Sequence, residues 1–306
     1  MLYNNDSLTR LERKPYSYYT SCLEQYHICN HSEILRCLFY KQFGYDLNLE
    51  DPKTYNEKLQ WLKLYWRDEK VPLCTDKYAV KDYLISKGLA DILIDTIAVY
   101  DNVEVIDFSS LPDKYVAKAT HASGYNLFVS NAASIDIDRL KLVFDKILRL
   151  PYYAAKLEWN YELVKPRIII EPLLPINNKM PLDYKFYCFY GKVCFVEITT
   201  ACEWVYSSEP TELIVDSQFR RLDFSYSFEN KLKIERPQDF DKMLEIATIL
   251  SKPFPHVRVD LMNPQKGVVK FGEFTFFPSA GFGHFTPERI DFVIGKELHI
   301  ENLKCL

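Results

Sequence analysis

Two segments near the C-terminal end of the chain carry charged residues at strand spacing. By the two-residue period of a strand, Arg258 and Asp260 share one face of residues 256–261, and Glu273 lies in a second strand-like segment at residues 271–278. The connection contains turn-forming Asn, Pro and Gly and predicts a hairpin with Asp260 and Glu273 side by side. Two carboxylates on a packed sheet face are costly unless positive charge lies between them. The spacing therefore predicts a site for a divalent cation, typically magnesium that carries a nucleotide.

The register of the hairpin decides this interpretation. In the second strand, the same period puts Phe271 and Thr275 on the face of Glu273. The alternative is that Arg258 neutralises Asp260 without a metal. A shift of the register would also separate the two carboxylates.

The composition is that of an ordinary globular protein. Of the 306 residues, 48% are hydrophobic and 26% are charged. This length suffices for one large domain or two to three small domains with a sizeable core. The formal net charge is −4 and the isoelectric point about 5.9. This balance argues against a dedicated nucleic-acid binder.

Targeting and cysteine signals predict a cytoplasmic protein without a transmembrane segment. Residues 1–20 are polar and lack the apolar run of a secretory signal, and no stretch approaches the roughly 18 apolar residues that span a bilayer. The eight cysteines are scattered and form no C-x-x-C pair. We therefore expect reduced thiols rather than disulfides or a zinc site.

Local signals divide the chain into three regions. Residues 1–110 are predicted to be mainly helical, whereas residues 111–172 and 173–306 mix strands with helices. In the first region, Thr54 and Glu57 form a capping box at the start of a helix. The other elements predicted there are a helix at residues 77–87 and a strand at residues 92–99.

In the two later regions, strands and helices alternate. The predicted strands lie at residues 115–118, 125–130 and 167–172, and in a hairpin at 183–199. The predicted helices lie at residues 137–150 and 238–251. A last helix is predicted to start at Thr286, with this threonine as its cap and Pro287 in its first turn.

Four further residues have positions that suit a nucleotide site. Lys118 ends an otherwise uncharged strand before the loop at residues 121–124, where backbone N–H groups could cap a phosphate. Lys185 lies in a hairpin strand, and Lys77 opens a helix, where a cation is mildly disfavoured. Glu171 ends an apolar strand, where its carboxylate could accept a hydrogen bond from an adenine amino group. The alternatives are surface lysines, a solvated sheet face and an ordinary turn residue.

Several common nucleotide and catalytic motifs are absent from the sequence. It contains no G-x-x-x-x-G-K-[ST], G-x-G-x-x-G, H-E-x-x-H or G-x-S-x-G, and its six histidines show no ligand spacing. Phosphate chemistry in this chain therefore requires a different scaffold.

The order of these features resembles the TupA-like ATP-grasp family of polysaccharide and teichuronopeptide biosynthesis. The resemblance covers about residues 40–292, with lysines, a glycine loop, a strand with Glu, a further lysine, and then Arg-x-Asp and Glu-x-Thr. The motifs that carry it lie at residues 54–63, 76–81, 118–126, 165–171, 183–186, 257–261 and 271–276.

The resemblance implies an α+β ATP-grasp fold, in which a helical N-terminal region precedes two α+β subdomains that clasp ATP. Residues 111–172 would be the lid-like subdomain, and residues 173–306 the C-terminal subdomain with the Mg-ATP and substrate site. Glu171 and the backbone near Leu173 and Leu174 would hold adenine.

The phosphate contacts that the resemblance implies come from three lysines and one loop. Lys118, Lys185 and Lys77 would bind the phosphates, together with Ser123 and Gly124 of the loop. An ammonium group acts on a phosphate as a compact point charge, which suits this role.

The resemblance also implies ATP and Mg²⁺ as cofactors. Asp260 and Glu273 would be magnesium ligands, and Thr275 would offer a weaker oxygen where many ATP-grasp enzymes have Asn. Arg258 would stabilise charge on the transferring phosphoryl group and on the later tetrahedral intermediate.

Two loops depart from the family pattern. The usual His-Gly-Ser-Gly is His-Ala-Ser-Gly at residues 121–124, and the late Gly-Ser-Gly is Ser-Ala-Gly at residues 279–281. Loss of a glycine removes freedom in φ. These changes therefore bear on loop closure and substrate choice more than on ATP binding.

The activity implied by the resemblance is ADP-forming ligation of a carboxylate to an amine. A substrate carboxylate attacks the γ-phosphorus, an acyl phosphate forms, and an amine then displaces phosphate. The implied partners are a sugar-acid or glycan carboxylate and an amine such as an amino acid, in bacterial surface-polysaccharide biosynthesis. Arg10, Arg13 and Lys14 could contact a membrane-bound glycan intermediate, or they belong to an ordinary solvated segment.

Three other functions remain open. A glycosyltransferase usually carries a D-x-D motif, and the match at residues 136–138 stands at a predicted helix start, which acids favour in any case. A kinase that acts on a hydroxyl would need a base, for which Asp183 is the candidate. A non-catalytic nucleotide-binding or scaffold protein is favoured by the altered loops, and the retained Arg258, Asp260 and Glu273 count against it.

Overall fold

The computed structural model of the chain describes residues 5–14, 16–174, 182–199 and 210–303. The α-helices of these residues are α1 (Asn5–Glu12), α2 (Tyr16–Ile28), α3 (His31–Phe43), α4 (Tyr55–Tyr65), α5 (Lys70–Thr75), α6 (Val80–Ser86), α7 (Ile137–Leu148), α8 (Phe240–Ser251) and α9 (Arg289–Glu297). The strands are β1 (Ala98–Tyr100), β2 (Tyr115–Ala119), β3 (Asn126–Val129), β4 (Ile168–Pro172), β5 (Asp183–Phe189), β6 (Lys192–Thr199), β7 (Thr211–Val215), β8 (Glu229–Asn230), β9 (Val257–Gln265) and β10 (Val268–Thr275). These strands form two sheets, so the fold class is α+β.

The smaller sheet has four antiparallel strands in the order β1–β4–β2–β3. One face is covered by α7, whose buried positions recur at the spacing of one helix face: Leu140, Val143, Phe144 and Ile147. Helix α1 adds Leu8 and Leu11 to the same core. The other face carries Lys118 and Glu171.

The larger sheet has the order β10–β9–β5–β6–β7–β8 and is antiparallel except between β7 and β8. Helix α8 covers one face with the buried residues Phe240, Met243, Ile246, Ala247 and Leu250. On β9, Val257, Val259 and Leu261 point into this core, so the predicted alternation of the strand is confirmed. Arg258 and Asp260 consequently lie on the opposite face.

A bulge in the β9–β10 hairpin sets which residues of β10 share that opposite face. Leu261 pairs with Phe271, but Asp260 pairs with Glu273, so one extra residue, Gly272, is inserted in β10. The predicted side-by-side carboxylates are confirmed. The prediction that Phe271 shares the face of Glu273 is wrong, because the insertion reverses the alternation and turns Phe271 into the core.

The helical N-terminal region contributes to three separate cores. Helix α1 packs on the smaller sheet, α3 joins a small cluster with Leu157 and Phe282, and α4 to α6 belong to the core of the larger sheet. The predicted domain boundaries at residues 110 and 172 stay predictions.

Three local predictions are wrong in detail. In place of a strand at residues 92–99, the strand is confined to β1, because lysines rather than a neighbouring strand bind the carbonyls before it: Lys81 donates to Ile94, and Lys270 to Leu93. The helix predicted from residue 77 begins at Val80, after a turn.

Thr286 does not cap α9, which begins at Arg289. Its backbone instead forms an antiparallel bridge with Ser225, with two N–H···O bonds of 2.9 Å.

Helix α4 begins with the predicted capping box and then buries most of its polar side chains. Thr54 accepts from the N–H of Glu57, whose carboxylate accepts from the N–H of Thr54 at 2.9 Å. Asn56 binds Asp291 of α9 through its backbone and side-chain N–H groups at 3.0 and 2.9 Å. A Cβ on Gly295 would lie 2.2 Å from the carbonyl oxygen of Lys53, so α9 approaches α4 to backbone contact.

We expect Gly295→Ala to lower the free energy of unfolding by about 1–3 kcal/mol, because its methyl group would meet backbone atoms that cannot move aside. Urea unfolding measures the change. Val293→Ala, on the exposed side of the same helix, should change stability far less. Equal stability of Gly295→Ala and the wild type would contradict the close approach of the two helices.

Candidate active site

A cleft of about 400 Å³ lies between the free faces of the two sheets. Most of the site residues predicted from the sequence line it: Lys77, Lys118, Ser123, Gly124, Glu171, Leu174, Lys185, Arg258, Asp260 and Glu273. Leu173 and Thr275 are not among its lining residues. The fold therefore brings residues from distant parts of the chain to one cavity.

A row of four charged residues crosses four neighbouring strands at the base of the cleft. Backbone pairing aligns Glu273 of β10 with Asp260 of β9, Asp260 with Lys185 of β5, and Lys185 with Glu197 of β6. Lys185 Nζ lies 3.3 Å from Glu197 Oε1, and the hydroxyl of Tyr187 donates to Glu197 Oε2 at 2.8 Å. Lys185 thus lies between Asp260 on one side and Glu197 on the other.

The buried partner of Lys185 was missed by sequence reasoning. Glu197 is fully buried, and burial alone would raise the pKa of its carboxyl, but the charges of Lys185 and Arg258 and its hydrogen bonds hold this pKa below the usual value. Burial opposes the charge of Lys185 as well, yet Glu197 raises the pKa of this lysine. The signal in the sequence that could have identified Glu197 is its position as the one acidic residue of the largely apolar strand β6.

Arg258 joins the acidic residues at one end of this row. Its guanidinium donates to both oxygens of Asp260, at 2.7 and 2.6 Å, and to Oγ1 of Thr275 at 2.9 Å. It also lies 3.6 Å from Glu273 Oε1. Burial, together with the charge of Glu273, raises the pKa of the Asp260 carboxyl although Arg258 opposes the shift. The arginine is therefore the present counter-ion of both carboxylates.

The residues at this end of the row fit a magnesium ion that is shared with a nucleotide. Mg²⁺ usually takes one or two carboxylates and completes its shell with phosphate oxygens and water. Asp260 and Glu273 are paired residues of adjacent strands, both line the cleft, and positive charge already lies between them. In the described part of the chain, no group of three or more His, Cys, Asp or Glu residues could hold a metal by itself.

Glu171 is the centre of a second charged cluster, on the smaller sheet. Its two oxygens lie 2.7 Å from Lys118 Nζ and 3.1 Å from Lys81 Nζ. Burial alone would raise the pKa of Glu171, but the two lysines hold it below its usual value. Sequence reasoning missed Lys81, although it stands four residues after Lys77, at the spacing of one helix face.

The loop at residues 121–124 is joined to both ends of the cleft. Lys77 donates to the carbonyl of Ala122 at 2.8 Å and lies 3.9 Å from Glu273 on the larger sheet. Lys14 donates to the carbonyl of Gly124 at 2.5 Å, so the N-terminal segment contacts this loop. Gly124 has φ of 74°, whereas Ala122 has no positive φ. The alanine that replaces the usual glycine is therefore tolerated without backbone strain.

The second altered loop is strained. Ser279 and Ala280 have φ of 50° and 54°, and Gly281 has φ of 69°, a conformation that costs roughly 1–2 kcal/mol for each non-glycine residue. Gln60 donates to the carbonyl of Gly281 at 2.6 Å, and Lys63 to that of Ala280 at 2.6 Å. Buried polar side chains of α4 thus hold the loop in its strained form.

A buried glutamate positions one wall of the cleft. The carboxylate of Glu212 accepts from the N–H groups of Tyr226, Ser227 and Phe228 at 2.6, 2.9 and 3.1 Å. Ser227 and Phe228 line the cleft. Burial and the nearby Glu197 raise the pKa of Glu212 to about 7. No sequence pattern pointed to this residue.

The structure also gives the positions of the D-x-D match considered for a glycosyltransferase and of Asp183, the candidate base of a kinase. Asp136 of the D-x-D match caps α7, accepting from the N–H of Arg139 at 3.1 Å, and neither aspartate of the match lines the cleft. Asp183 does line it, and burial raises the pKa of its carboxyl to about 7.

A second cavity of about 440 Å³ adjoins the first, and three residues line both: Ser123, Arg258 and Ser279. Thr275 lines this second cavity. The guanidinium of Arg258 therefore stands at the boundary between the two.

Two sheets that face each other across a cleft of lysines and carboxylates are the architecture of an ATP-grasp protein. The sequence model described as TupA-like ATPgrasp matches residues 57–299, and the chain belongs to this family. The family and the ATP-grasp fold with its helical N-terminal region are thereby confirmed.

Several solved structures are similar to the chain. D-alanine–D-alanine ligase from Bacillus anthracis is 18% identical over 67% of this chain and 57% of that chain, with a TM-score of 0.39. The corresponding enzyme from Helicobacter pylori is 13% identical over 80% and 65%, with a TM-score of 0.44. An L-amino acid ligase from Bacillus licheniformis is 12% identical over 82% and 55%, with a TM-score of 0.43.

The chain thus spans between 55% and 65% of the length of these three ligases. Among curated proteins, none matches the chain. In the described part of the chain, every helix is too short or too polar to cross a bilayer.

We expect Glu212→Gln to weaken Mg-ATP binding about three- to tenfold, roughly 1 kcal/mol, because the amide cannot accept all three N–H bonds that hold residues 226–228. Calorimetric titration measures the affinity. The exposed carboxylate of Glu229 offers a control, and Glu229→Gln should bind like the wild type. Unchanged affinity in Glu212→Gln would show that this wall does not contact the nucleotide.

Proposed function

We propose that the chain is an ATP-dependent, ADP-forming carboxylate–amine ligase that modifies a sugar acid in bacterial surface-polysaccharide biosynthesis. The observation that carries this proposal is the in-register row of Glu273, Asp260, Lys185 and Glu197, which faces Lys118 across one cleft. Family membership supplies the class of reaction.

The nucleotide binds between the two sheets in this proposal. Lys118, Lys185 and Lys77 contact the phosphates, and Ser123 and Gly124 cap them with backbone N–H groups. The proposal is supported by the position of all five residues on the walls of one cleft.

The adenine ring lies at the end of β4 in this proposal, against Glu171 and the backbone of Leu173 and Leu174. Glu171 has a second role here, because its ion pairs with Lys118 and Lys81 hold the first of these lysines towards the cleft. A carboxylate that accepts from two lysines still has lone pairs for an amino group.

Asp260 and Glu273 would hold the magnesium ion, with Thr275 as a further oxygen donor. When bound, the ion neutralises negative charge on the phosphates and orients them. Arg258, which now binds all three of these residues, would turn its guanidinium to the transferring phosphoryl group. Fixed donors of this kind stabilise developing charge without reorganisation.

The reaction has two steps, and the protein mainly positions the groups. A carboxylate oxygen of the acid substrate attacks the γ-phosphorus, ADP leaves, and an acyl phosphate remains. The nitrogen of the amine then attacks the acyl carbon and inorganic phosphate leaves, so an amide forms. Arg258, at the boundary of the two cavities, can stabilise negative charge in both steps.

The sugar-acid substrate and a cytoplasmic location follow from the family resemblance and remain proposals. Contact with a membrane-bound glycan intermediate is also proposed. Two of the basic residues considered for this contact, Arg10 and Lys14, lie beside the smaller sheet and its loop. They donate hydrogen bonds to the carbonyls of Asn126 and Gly124.

The first test is calorimetric titration with ATP and Mg²⁺, compared with UDP-sugars and Mn²⁺. We expect magnesium-dependent binding of ATP, weakened at least tenfold, about 1.4 kcal/mol, in Lys118→Ala because the phosphates lose an ammonium contact. Lys114→Ala, on the exposed chain before β2, is the matched control. Binding of UDP-sugar alone would favour glycosyl transfer, and binding of neither would favour a non-catalytic protein.

We expect Asp260→Asn and Glu273→Gln each to reduce ATP turnover to below about 1% while the fold remains intact, since each removes a metal ligand. Release of ADP in the presence of uronic acids and amines measures turnover, and circular dichroism checks the fold. Asp241→Asn, an exposed carboxylate on α8, should turn over like the wild type. Turnover near the wild-type rate in either active-site variant would refute the magnesium assignment.

A further inference from the structure

The second cavity differs in character from the nucleotide cleft. Its volume is about 440 Å³, and six of its sixteen lining residues are aromatic: Tyr18, Tyr19, Tyr152, Tyr161, Phe277 and Phe282. Besides Arg258, which it shares with the cleft, its charged lining residues in the described part of the chain are Lys156 and Glu158. Neither of these two was singled out in the sequence.

Glu158 is a buried carboxylate that the protein does not neutralise by contact. Its residue is only 7% exposed, and the described residues donate no hydrogen bond to its carboxylate. Burial raises the pKa of this carboxyl to about 7, although the nearby charges of Lys63 and Lys156 oppose the shift. A buried carboxylate without a hydrogen-bond donor is unfavourable, so its presence in a cavity wall indicates a ligand that supplies the missing donor.

The nearest structural explanation, an ion pair between Glu158 and Lys63, is not supported by the geometry. Lys63 donates to Oε1 of Gln60 at 3.0 Å, to the carbonyl of Lys156 at 2.8 Å and to that of Ala280 at 2.6 Å. Burial lowers the pKa of Lys63 to about 7, yet the three hydrogen bonds that Lys63 donates require all three protons of an ammonium group. Lys63 is therefore charged, and all of its donors are used by other acceptors.

Lys156 supplies the opposite charge in the same wall. It is exposed, and its ammonium lies 5.3 Å from the ring centre of Phe282. Within the described residues it forms no ion pair with Glu158, although the two are close enough to influence each other. The cavity wall therefore carries one carboxyl and one ammonium group that are not joined to each other.

The backbone between the two charged residues is strained. Leu157 has φ of 55°, which is unfavourable for a leucine, and it is buried in the small cluster with Ala280 and Phe282. Strain of this kind persists where the surrounding structure enforces it, and it concentrates at binding sites. The packing of Leu157 thus fixes Lys156 and Glu158 against the cavity.

We propose that the second cavity binds the amine substrate as a zwitterionic amino acid, with its ammonium at Glu158 and its carboxylate at Lys156. This inference rests on the proposed ligation, and it names the class of amine. An amino acid presents the same two charges in the opposite sense, so it pairs both groups at once. The tyrosine walls would contact its side chain and suit a cation over a ring face.

The position of the cavity agrees with this assignment. It shares Ser123, Arg258 and Ser279 with the nucleotide cleft, so an amine bound there lies beside the end of the cleft that carries Arg258 and the acidic pair. The bound ammonium must first lose a proton, for which the adjacent carboxylate of Glu158 is the acceptor. The neutral nitrogen can then attack an acyl phosphate from this neighbouring space.

The test is titration of the purified chain with the twenty L-amino acids, D-alanine and D-glutamate, each with and without Mg²⁺ and a non-hydrolysable ATP analogue. At least one amino acid should bind. Its N-acetyl derivative, which has no ammonium, and its amide, which has no carboxylate, should each bind at least tenfold more weakly. Comparison within the wild-type protein makes this result independent of the folding of any variant.

Two substitutions test the named residues. Glu158→Gln and Lys156→Met keep the side-chain size and should each weaken the binding of that amino acid at least tenfold, while Mg-ATP affinity stays within twofold. Glu162→Gln and Lys114→Met, exposed and outside both cavities, should bind like the wild type.

The inference is overturned if none of these amino acids binds, if the N-acetyl derivative or the amide binds as tightly as its parent, or if both variants bind normally. Mg-ATP binding on the same preparation separates the two proposals. Loss of amino-acid binding alone refutes this inference, whereas absence of Mg-ATP binding refutes the proposed function. In that case the titration without nucleotide still decides what the cavity binds.

Discussion

The alignment of four charges across neighbouring strands is the constraint on which the candidate site depends. Glu273, Asp260, Lys185 and Glu197 lie in one row, and the fully buried Glu197 cannot lose its lysine without leaving an uncompensated charge. Breaking such a pair costs about 3–5 kcal/mol. Register shifts of β5, β6 or β9 are therefore strongly disfavoured, and the same pairing that stabilises the sheet positions the groups proposed to bind phosphate and metal.

Polar side chains of helix α4 position loops that lie outside the two sheets. A buried polar face would be a liability if its groups were unpaired, but Gln60 and Lys63 donate to the strained loop at residues 279–281, and Asn56 binds α9. Lys63 also donates to the carbonyl of Lys156, in the segment that lines the second cavity. One helix thus ties together the two loops around that cavity, which explains polar residues at positions that packing alone would fill with apolar ones.

Sequence periodicity predicted the parts of the site that depend on local rules. The alternation of β9, the pairing of Asp260 with Glu273 and the capping box of α4 all follow from short-range patterns. The bulge at Gly272 could not be predicted, because an inserted residue leaves no periodic signal, and it turns Phe271 into the core. Partners distant in sequence, such as Lys81 and Glu212, were missed because only the tertiary fold brings them to their contacts.

The charge balance of the cleft explains why a metal and a nucleotide should enter together. Among the described lining residues, the cations are Lys77, Lys118, Lys185 and Arg258, and the carboxylates are Glu171, Asp183, Asp260 and Glu273. Each of these four cationic side chains lies within 4 Å of a carboxylate. A polyphosphate that binds without a metal would therefore compete with these carboxylates for the same lysines and arginine. A divalent cation changes this competition. Asp260 and Glu273 would hold such an ion in place of their contacts with Arg258, whose guanidinium would then be available to the phosphoryl group. Metal and nucleotide should therefore each strengthen the binding of the other.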